Sequence, residues 1–314
     1  MKLLRAITLL TMLCCTAPIF AQSSFEGTLT SRVTMAGVDL SLVTEQIDYS
    51  KGNVQEQMQT LFKAIPPADF ARLRAMMEEN PMMGIAMIMM PPKASIHIKN
   101  KITYAKTKGL GYEIQHYHNE QSDEAFLYTA SLIKPSDAVT GAYKPSEGYD
   151  ALFTEANRIT VDKFNVERST KTAQVAGYTC NISTYTTKSL DPETPNSMGI
   201  PSVQVHKLVV YTSKELPKGI NFSHPYYLPE DHGILRIDIY LNAKAEPSMV
   251  YEMTAVDKSP VNDSLLIPKK SEPIYTLTDM NYAMKLMGIM MGGMAQMDVS
   301  DENEEEFSED EEIN

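Results

Sequence analysis

Thioether sulfur is the most concentrated chemistry in this sequence. "ENPMMGIAMIMMPP" (79–92) places five methionines in the nine residues 82–90, and "MNYAMKLMGIMMGGMAQM" (280–297) carries seven more. Methionine is unbranched and polarizable. It can fill irregular core gaps, adapt to a variable apolar ligand, or offer soft donors to copper(I). For copper the donors would be Met82, Met83, Met87, Met89 and Met90. Copper-handling segments usually interleave methionine with histidine or polar residues, whereas Gly84, Ile85, Ala86 and Ile88 fill these gaps. For an apolar ligand the expected lining is Met83, Met87 and Met90 from the first cluster and Met284, Met287 and Met291 from the second.

Imidazole and thiol are sparser. In "YEIQHYHNE" His116 and His118 lie two apart, so on a strand they share a face and could both ligate zinc or copper. His97 could join from a neighbouring strand if the register suits. No third ligand is fixed by spacing, and bystander histidines are the favoured reading, so no metal is assigned. In "GYTCNIS" Cys180 alternates with Tyr178 and Ile182, as a buried, inert thiol on a strand would. The chain has no H-E-x-x-H, G-x-S-x-G, C-x-x-C or phosphate loop, so no catalytic residue or cofactor is assigned and a non-enzymatic role is expected.

The opening "MKLLRAITLLTMLCCTAPIFAQ" reads as an export signal. Lys2 and Arg5 form its basic end, Ala6–Cys15 is a short apolar stretch, and Ala21 is a suitable cleavage site. Leu13 before Cys14 lacks the small residue a lipoprotein signal needs, so soluble export is expected. Cys14 and Cys15 would leave with residues 1–21, making Cys180 the single mature cysteine and excluding an internal disulfide. Losing Lys2 and Arg5 would move the net charge from −12 to −14. That balance argues against nucleic acid and against electrostatic docking on anionic lipid. No later run is long and apolar enough to span a bilayer as a helix.

The elements that would position these groups are mostly strands. "FEGTLTSRVTM" (25–35) alternates with period two, and "VDLSLVT" (38–44) would complete a hairpin. Met58, Leu61, Phe62 and Ile65 then step at helical spacing. A second helix begins at Pro66-Pro67 with Phe70, Leu73 and Met77 inward, and the methionine segment is bracketed by Pro81 and Pro91-Pro92. In "ASIHIKNKITYAK" (94–106) Ile96, Ile98, Ile102 and Tyr104 are expected on one face. Further strands are expected at 112–118, 124–132, 158–166, 173–186, 203–213, 234–242, 248–257 and 264–268, with "KPSDAVTGAYKPSEG" (134–148) as a connector. Met280, Met284, Met287, Met291 and Met294 form a stripe on a C-terminal helix, followed by the acidic tail "DENEEEFSEDEEIN".

These residues also carry a resemblance. "KTAQVAGYTCNISTYTT" (171–187) resembles the K-x-I-x-G-Y-x-C strand of the exported Gram-negative GLPGLI family. It is equally similar to a domain of unknown function grouped with lipoprotein carriers of the LolA/LolB type. "VQVHKLVVYTSKELPKGINF" (203–222) and "HGILRIDIYL" (232–241) follow in the order such proteins show, although the literal GLPGLI string is replaced by "LPEDHGIL". "FEGTLTSRVTM" and "ASIHIKNKITYAK" resemble that domain's early strands. The resemblance implies a periplasmic protein whose curved open sheet holds a lipid, an acyl chain or a lipidated partner.

The organisation expected is therefore a signal peptide (1–21) and a mainly β, lipoprotein-carrier-like open antiparallel half-barrel (22–278) with a helical insertion (54–92). A methionine-rich helix (279–298) and a disordered acidic tail (299–314) would follow. The expected function is non-enzymatic binding of an apolar small molecule or lipidated protein. A copper(I)-binding envelope protein and a structural or interaction module of the envelope are the alternatives. The sequons at Asn181, Asn221 and Asn262 would matter only in a eukaryotic secretory pathway.

Overall fold

The computed structural model describes residues 25–80, 83, 84, 87, 90–147, 159–188, 205–223, 226 and 228–292. The expected signal peptide and acidic tail, together with Met82, Met89 and Met294, lie outside the described residues. Thirteen strands form one sheet: β1 (Gly27–Met35), β2 (Val38–Asp39), β3 (Lys93–Lys99), β4 (Ile102–Lys108), β5 (Tyr112–Asn119), β6 (Glu124–Ser131), β7 (Ala138–Tyr143), β8 (Phe164–Val175), β9 (Tyr178–Thr187), β10 (Lys207–Ser213), β11 (Gly233–Tyr240), β12 (Met249–Asp257) and β13 (Ile274–Thr276). Their order is β13-β7-β6-β5-β4-β3-β1-β12-β11-β10-β9-β8, with β2 beside β1. The two ends do not pair, and every neighbour is antiparallel except β13 on β7. This is a mainly β, open half-barrel.

β1 shows why the sheet forms. Gly27, Leu29, Ser31, Val33 and Met35 are buried in strict alternation, and the strand pairs with β3 on one side and β12 on the other. Its inner face continues laterally through Ile96 and Ile98 on β3 to Ala105 and Thr103 on β4, and then to His116 and His118 on β5. The main core collects on this face, with Leu29, Val33, Ile96, Ile237, Ile239 and Tyr185 packed together.

Two-residue turns with positive φ set the strand parity. Asn100 (φ 50) and Lys101 (φ 62) close β3 onto β4, so "ASIHIKNKITYAK" is a hairpin and not one continuous strand. Ile102 and Tyr104 consequently lie on the face opposite Ile96 and Ile98. A similar turn at Ala176 (φ 48) and Gly177 (φ 83) splits 164–187 into β8 and β9. Such turns match the right-handed twist of the flanking strands and normally favour Asn or Gly.

The helices are α1 (Ser41–Thr44), α2 (Val54–Lys63), α3 (Pro67–Glu79) and α4 (Met280–Gly292). The expected strand at 38–44 stops at Asp39, because the Asp39 carboxylate accepts from the Ser41 amide and hydroxyl and turns the chain into α1. In α2, Val54 and Met58 are buried beside Val43, Ile47 and Leu110, with Leu61, Phe62 and Ile65 against them. α3 takes Pro67 at its first position and buries Leu73, while Phe70 is 47% exposed instead of inward. The region 264–268 is a 3-10 turn at Asp263–Leu266, not a strand.

After β12 the chain wraps the β7 edge. Val261 and Leu266 pack on outer-face Tyr104, Tyr117 and Phe126, and the Ser271 amide donates to Thr140 Oγ1 at 2.7 Å. β13 then runs beside β7, and α4 returns along the inner face over β6 and β7. Asp279 caps that helix by accepting from the Asn281 amide at 2.8 Å. No helix among the described residues is long and apolar enough to cross a membrane.

Candidate functional site

The two methionine sets occupy different parts of the molecule. Met83 is 0% exposed inside the main core, and Met87 and Met90 pack half-buried against the same cluster. α4 belongs to a separate cluster. Its inner side is Tyr282, Ile289 and Met290, with Leu286 beside them, seated on Tyr112 and Val139 of the sheet. The predicted stripe faces the other way: Met280 is 68% exposed, Met284 is 60% exposed, and Met287 and Met291 are half-buried. Two apolar stripes share this helix, since Tyr282, Leu286 and Ile289 also step at helical spacing. Periodicity alone therefore could not say which one meets the sheet.

Gly141 seats α4. A Cβ there would lie 2.6 Å from Leu277 Cδ2 and 2.8 Å from the Tyr282 ring, so only glycine lets that ring settle on β7. Gly141 is in register with Leu127, and Leu127 with His116. In the next row His118 faces Ala125, which faces Tyr143. Tyr143 OH and His116 Nε2 are 2.8 Å apart, a hydrogen bond whose donor depends on the tautomer. The Tyr143 ring centroid lies 5.8 Å from that of His116 and 6.2 Å from that of His118.

Burial dominates the electrostatics here. It pushes His116 down to about 3, with His118 adding to the effect, and pushes His118 down to about 4 against the attraction of Asp123. Both imidazoles are neutral near pH 7, and burial raises the Tyr143 hydroxyl, which stays protonated. His97 does not join them. Its register opposite Tyr104 puts it on the outer face, where it bonds Thr28 Oγ1 at 3.0 Å. No cluster of three or more His, Cys, Asp or Glu able to hold a metal occurs among the described residues.

Three further groups complete the inventory. Cys180 is fully buried, and burial pushes its thiol up to about 11, which suppresses the reactive thiolate. Glu230 is a buried carboxylate that sequence reasoning missed. Tyr185 OH donates to it at 2.5 Å, and Arg168 Nη1 lies 3.4 Å away. Nothing in "LPEDHG" distinguishes Glu230 from Asp231. Beneath α4, the Thr129 and Tyr282 hydroxyls are buried and have no hydrogen-bond partner among the described residues. A shallow surface depression lined by Gln46, Asn53, Glu56, Gln57, Thr60 and Leu61 on and around α2 involves none of the methionines.

No family model matches the sequence, and no curated protein matches it. Among solved structures the chain is similar to PNGF-II in its P21 crystal form, with a TM-score of 0.40 and 9% identity over 85% of this chain and 34% of that one. It is also similar to PNGF-II in its C2 crystal form, with a TM-score of 0.29 and 10% identity over 60% of this chain and 30% of that one. The chain thus spans about a third of the length of the solved chains it matches.

Proposed function

We propose that this chain is an exported, periplasmic, non-enzymatic binding protein for an apolar ligand, with α4 as the element that engages it. One observation carries the reading: α4 is apolar on both sides. Tyr282, Ile289 and Met290 anchor it while Met280 and Met284 stand exposed to solvent. Large apolar side chains on one exposed helical stripe commonly serve a partner, and methionine's flexibility suits ligands of variable shape. Gly288 and Gly292 lower the helix's intrinsic stability, so its docking depends on what it touches. The open sheet and the resemblance to exported GLPGLI-like proteins support the same reading. Met83, buried in the main core, has a packing role, and Met87 and Met90 flank it.

Replacing both Met280 and Met284 by serine should lower the affinity for a fluorescent fatty acid at least tenfold. The unfolding midpoint should stay within experimental error, because both side chains are already largely in water. Unchanged binding in this variant would refute the assignment to α4. A protein that binds no fatty acid at all would refute the function. By contrast Met83→Ala, which empties a fully buried site, should cost about 2–5 kcal/mol of stability in urea unfolding.

A further inference from the structure

The inner face of α4 closes over polar groups that nothing in the fold explains. Thr129 is 0% exposed and Tyr282 is 4% exposed, yet Thr129 Oγ1 and Tyr282 OH have no hydrogen-bond partner among the described residues. Neither hydroxyl is needed for packing. Valine would fill the Thr129 site and phenylalanine the Tyr282 site with the same shape, whereas an unsatisfied buried hydroxyl costs about 1–3 kcal/mol. Both belong to one small region. Thr129 is in register with Ile114 and Val139 on the inner face. Gly141, two residues along β7 on that face, carries the Tyr282 ring, and Gly141 continues through Leu127 to the His116–Tyr143 hydrogen bond. At strand spacings of about 4.8 Å and same-face spacings of about 7 Å, these groups span roughly one head group.

We propose that this polar seam beneath α4 receives the hydrogen-bonding head of a single-chain amphiphile. The idea rests on the apolar-ligand reading above and names the ligand's chemical class. Thr129 and Tyr282 each offer a hydroxyl that can donate and accept. The titratable side chains on this part of the inner face, Tyr112, His116, His118 and Tyr143, are all uncharged near neutral pH, and Lys285, exposed on α4 over the Tyr275 ring beside Gly141, bonds neither seam hydroxyl. A carboxylate head would be buried there without a counter-charge, which is costly. An uncharged hydroxyl or ester head would not be. The acyl chain then leaves past Met290 and half-buried Met287 toward exposed Met284, a path that rounds the helix in sequence order of burial.

The test uses the full chain, with 1-dodecanol, dodecanoate and dodecane presented from cyclodextrin as competitors for a fluorescent fatty acid. The expected result is that dodecanol competes at least tenfold better than the other two. In the double variant Thr129→Val/Tyr282→Phe that preference should fall to within about twofold, while the melting temperature stays equal or rises. Tyr282→Phe alone should give an intermediate preference and serves if the double variant folds poorly. Wild-type protein that binds all three probes alike would overturn the seam while leaving the apolar reading intact. So would a double variant that folds and keeps its preference, or, where it folds poorly, a Tyr282→Phe protein whose preference is unchanged. Protein that binds none of the probes would overturn both readings.

Discussion

Between pH 7 and pH 5 the protein should lose about 4 kcal/mol of unfolding free energy, and most of that loss should vanish in the variant His116→Gln/His118→Gln. The sign follows from where each state binds protons. Burial holds His116 at about 3 and His118 at about 4 in the folded protein, below the unfolded value near 6.5. As pH falls through 6.5 the unfolded chain gains protons that the native state refuses. Stability is therefore fully present above that pH and drains away down to the folded values. At pH 5 each site contributes about 2 kcal/mol of loss, from 1.36 kcal/mol per unit over about 1.5 units. His97 is also depressed by burial and adds in the same direction. Four depressed aspartates do not confuse this window. Asp48, Asp123, Asp162 and Asp257 are held below the usual range by hydrogen bonds from neighbouring serines, a threonine or backbone amides, so their contributions disappear only as pH falls below about 4. Urea titrations at the two pH values read the difference directly. An equal pH dependence in wild type and variant would show that these imidazoles reach solvent.

The buried pair also shows how much of the site was legible. Spacing of two on a strand correctly put His116 and His118 on one face. Whether His97 could join them depended on parity across a turn, and Asn100-Lys101 lacks the Asn-Gly or Gly-Gly signature that announces a two-residue hairpin. Without that turn, Ile102 and Tyr104 are assigned to the wrong face and His97 stays open as a third member of the group. Tyr143 was hidden for a different reason. β7 lies inside "KPSDAVTGAYKPSEG", where two Lys-Pro pairs, serines and glycines read as a loop and outweigh the strand formers Val139, Thr140 and Tyr143. β13 is three residues long and holds its place through parallel pairing with β7, a tertiary contact with no local signal.

The fold class survived these local errors because most strands are long and alternate cleanly. β1, β5, β6, β11 and β12 each sit where apolar periodicity places a strand. The α2 and α3 helices are likewise marked by prolines and by spacing. What sequence could not rank was the two sides of α4. Burial depends on which side offers shape to a given seat, and the seat is made by the absence of a side chain at Gly141. A glycine in a strand signals close approach of something, but not of what.

Gly141→Leu should therefore unseat α4 while leaving the main core folded. The Cβ alone would come within 2.6 Å of Leu277 and 2.8 Å of the Tyr282 ring, and the remaining leucine carbons have only that ring's volume to enter. Leu127 occupies the lateral neighbour position on β6, so the sheet cannot yield sideways without breaking its register. The helix is the softer side. Its attachment rests mainly on Tyr282, Ile289 and Met290, each worth roughly 1.5–3 kcal/mol when buried, and losing that docking should lower protection by about a thousandfold or more. Hydrogen exchange should thus show amides 284–290 becoming nearly unprotected while β1, β11 and β12, in the other cluster, keep their protection. Fluorescent fatty-acid binding should fall in parallel if α4 engages the ligand. Retained protection over 284–290 would mean that the helix is rigidly fixed by contacts beyond Gly141, and would count against a ligand reaching the groups beneath it. Lost protection with intact binding would place the ligand elsewhere on the sheet. The substitution thus separates a helix that closes the core from one that also captures a ligand.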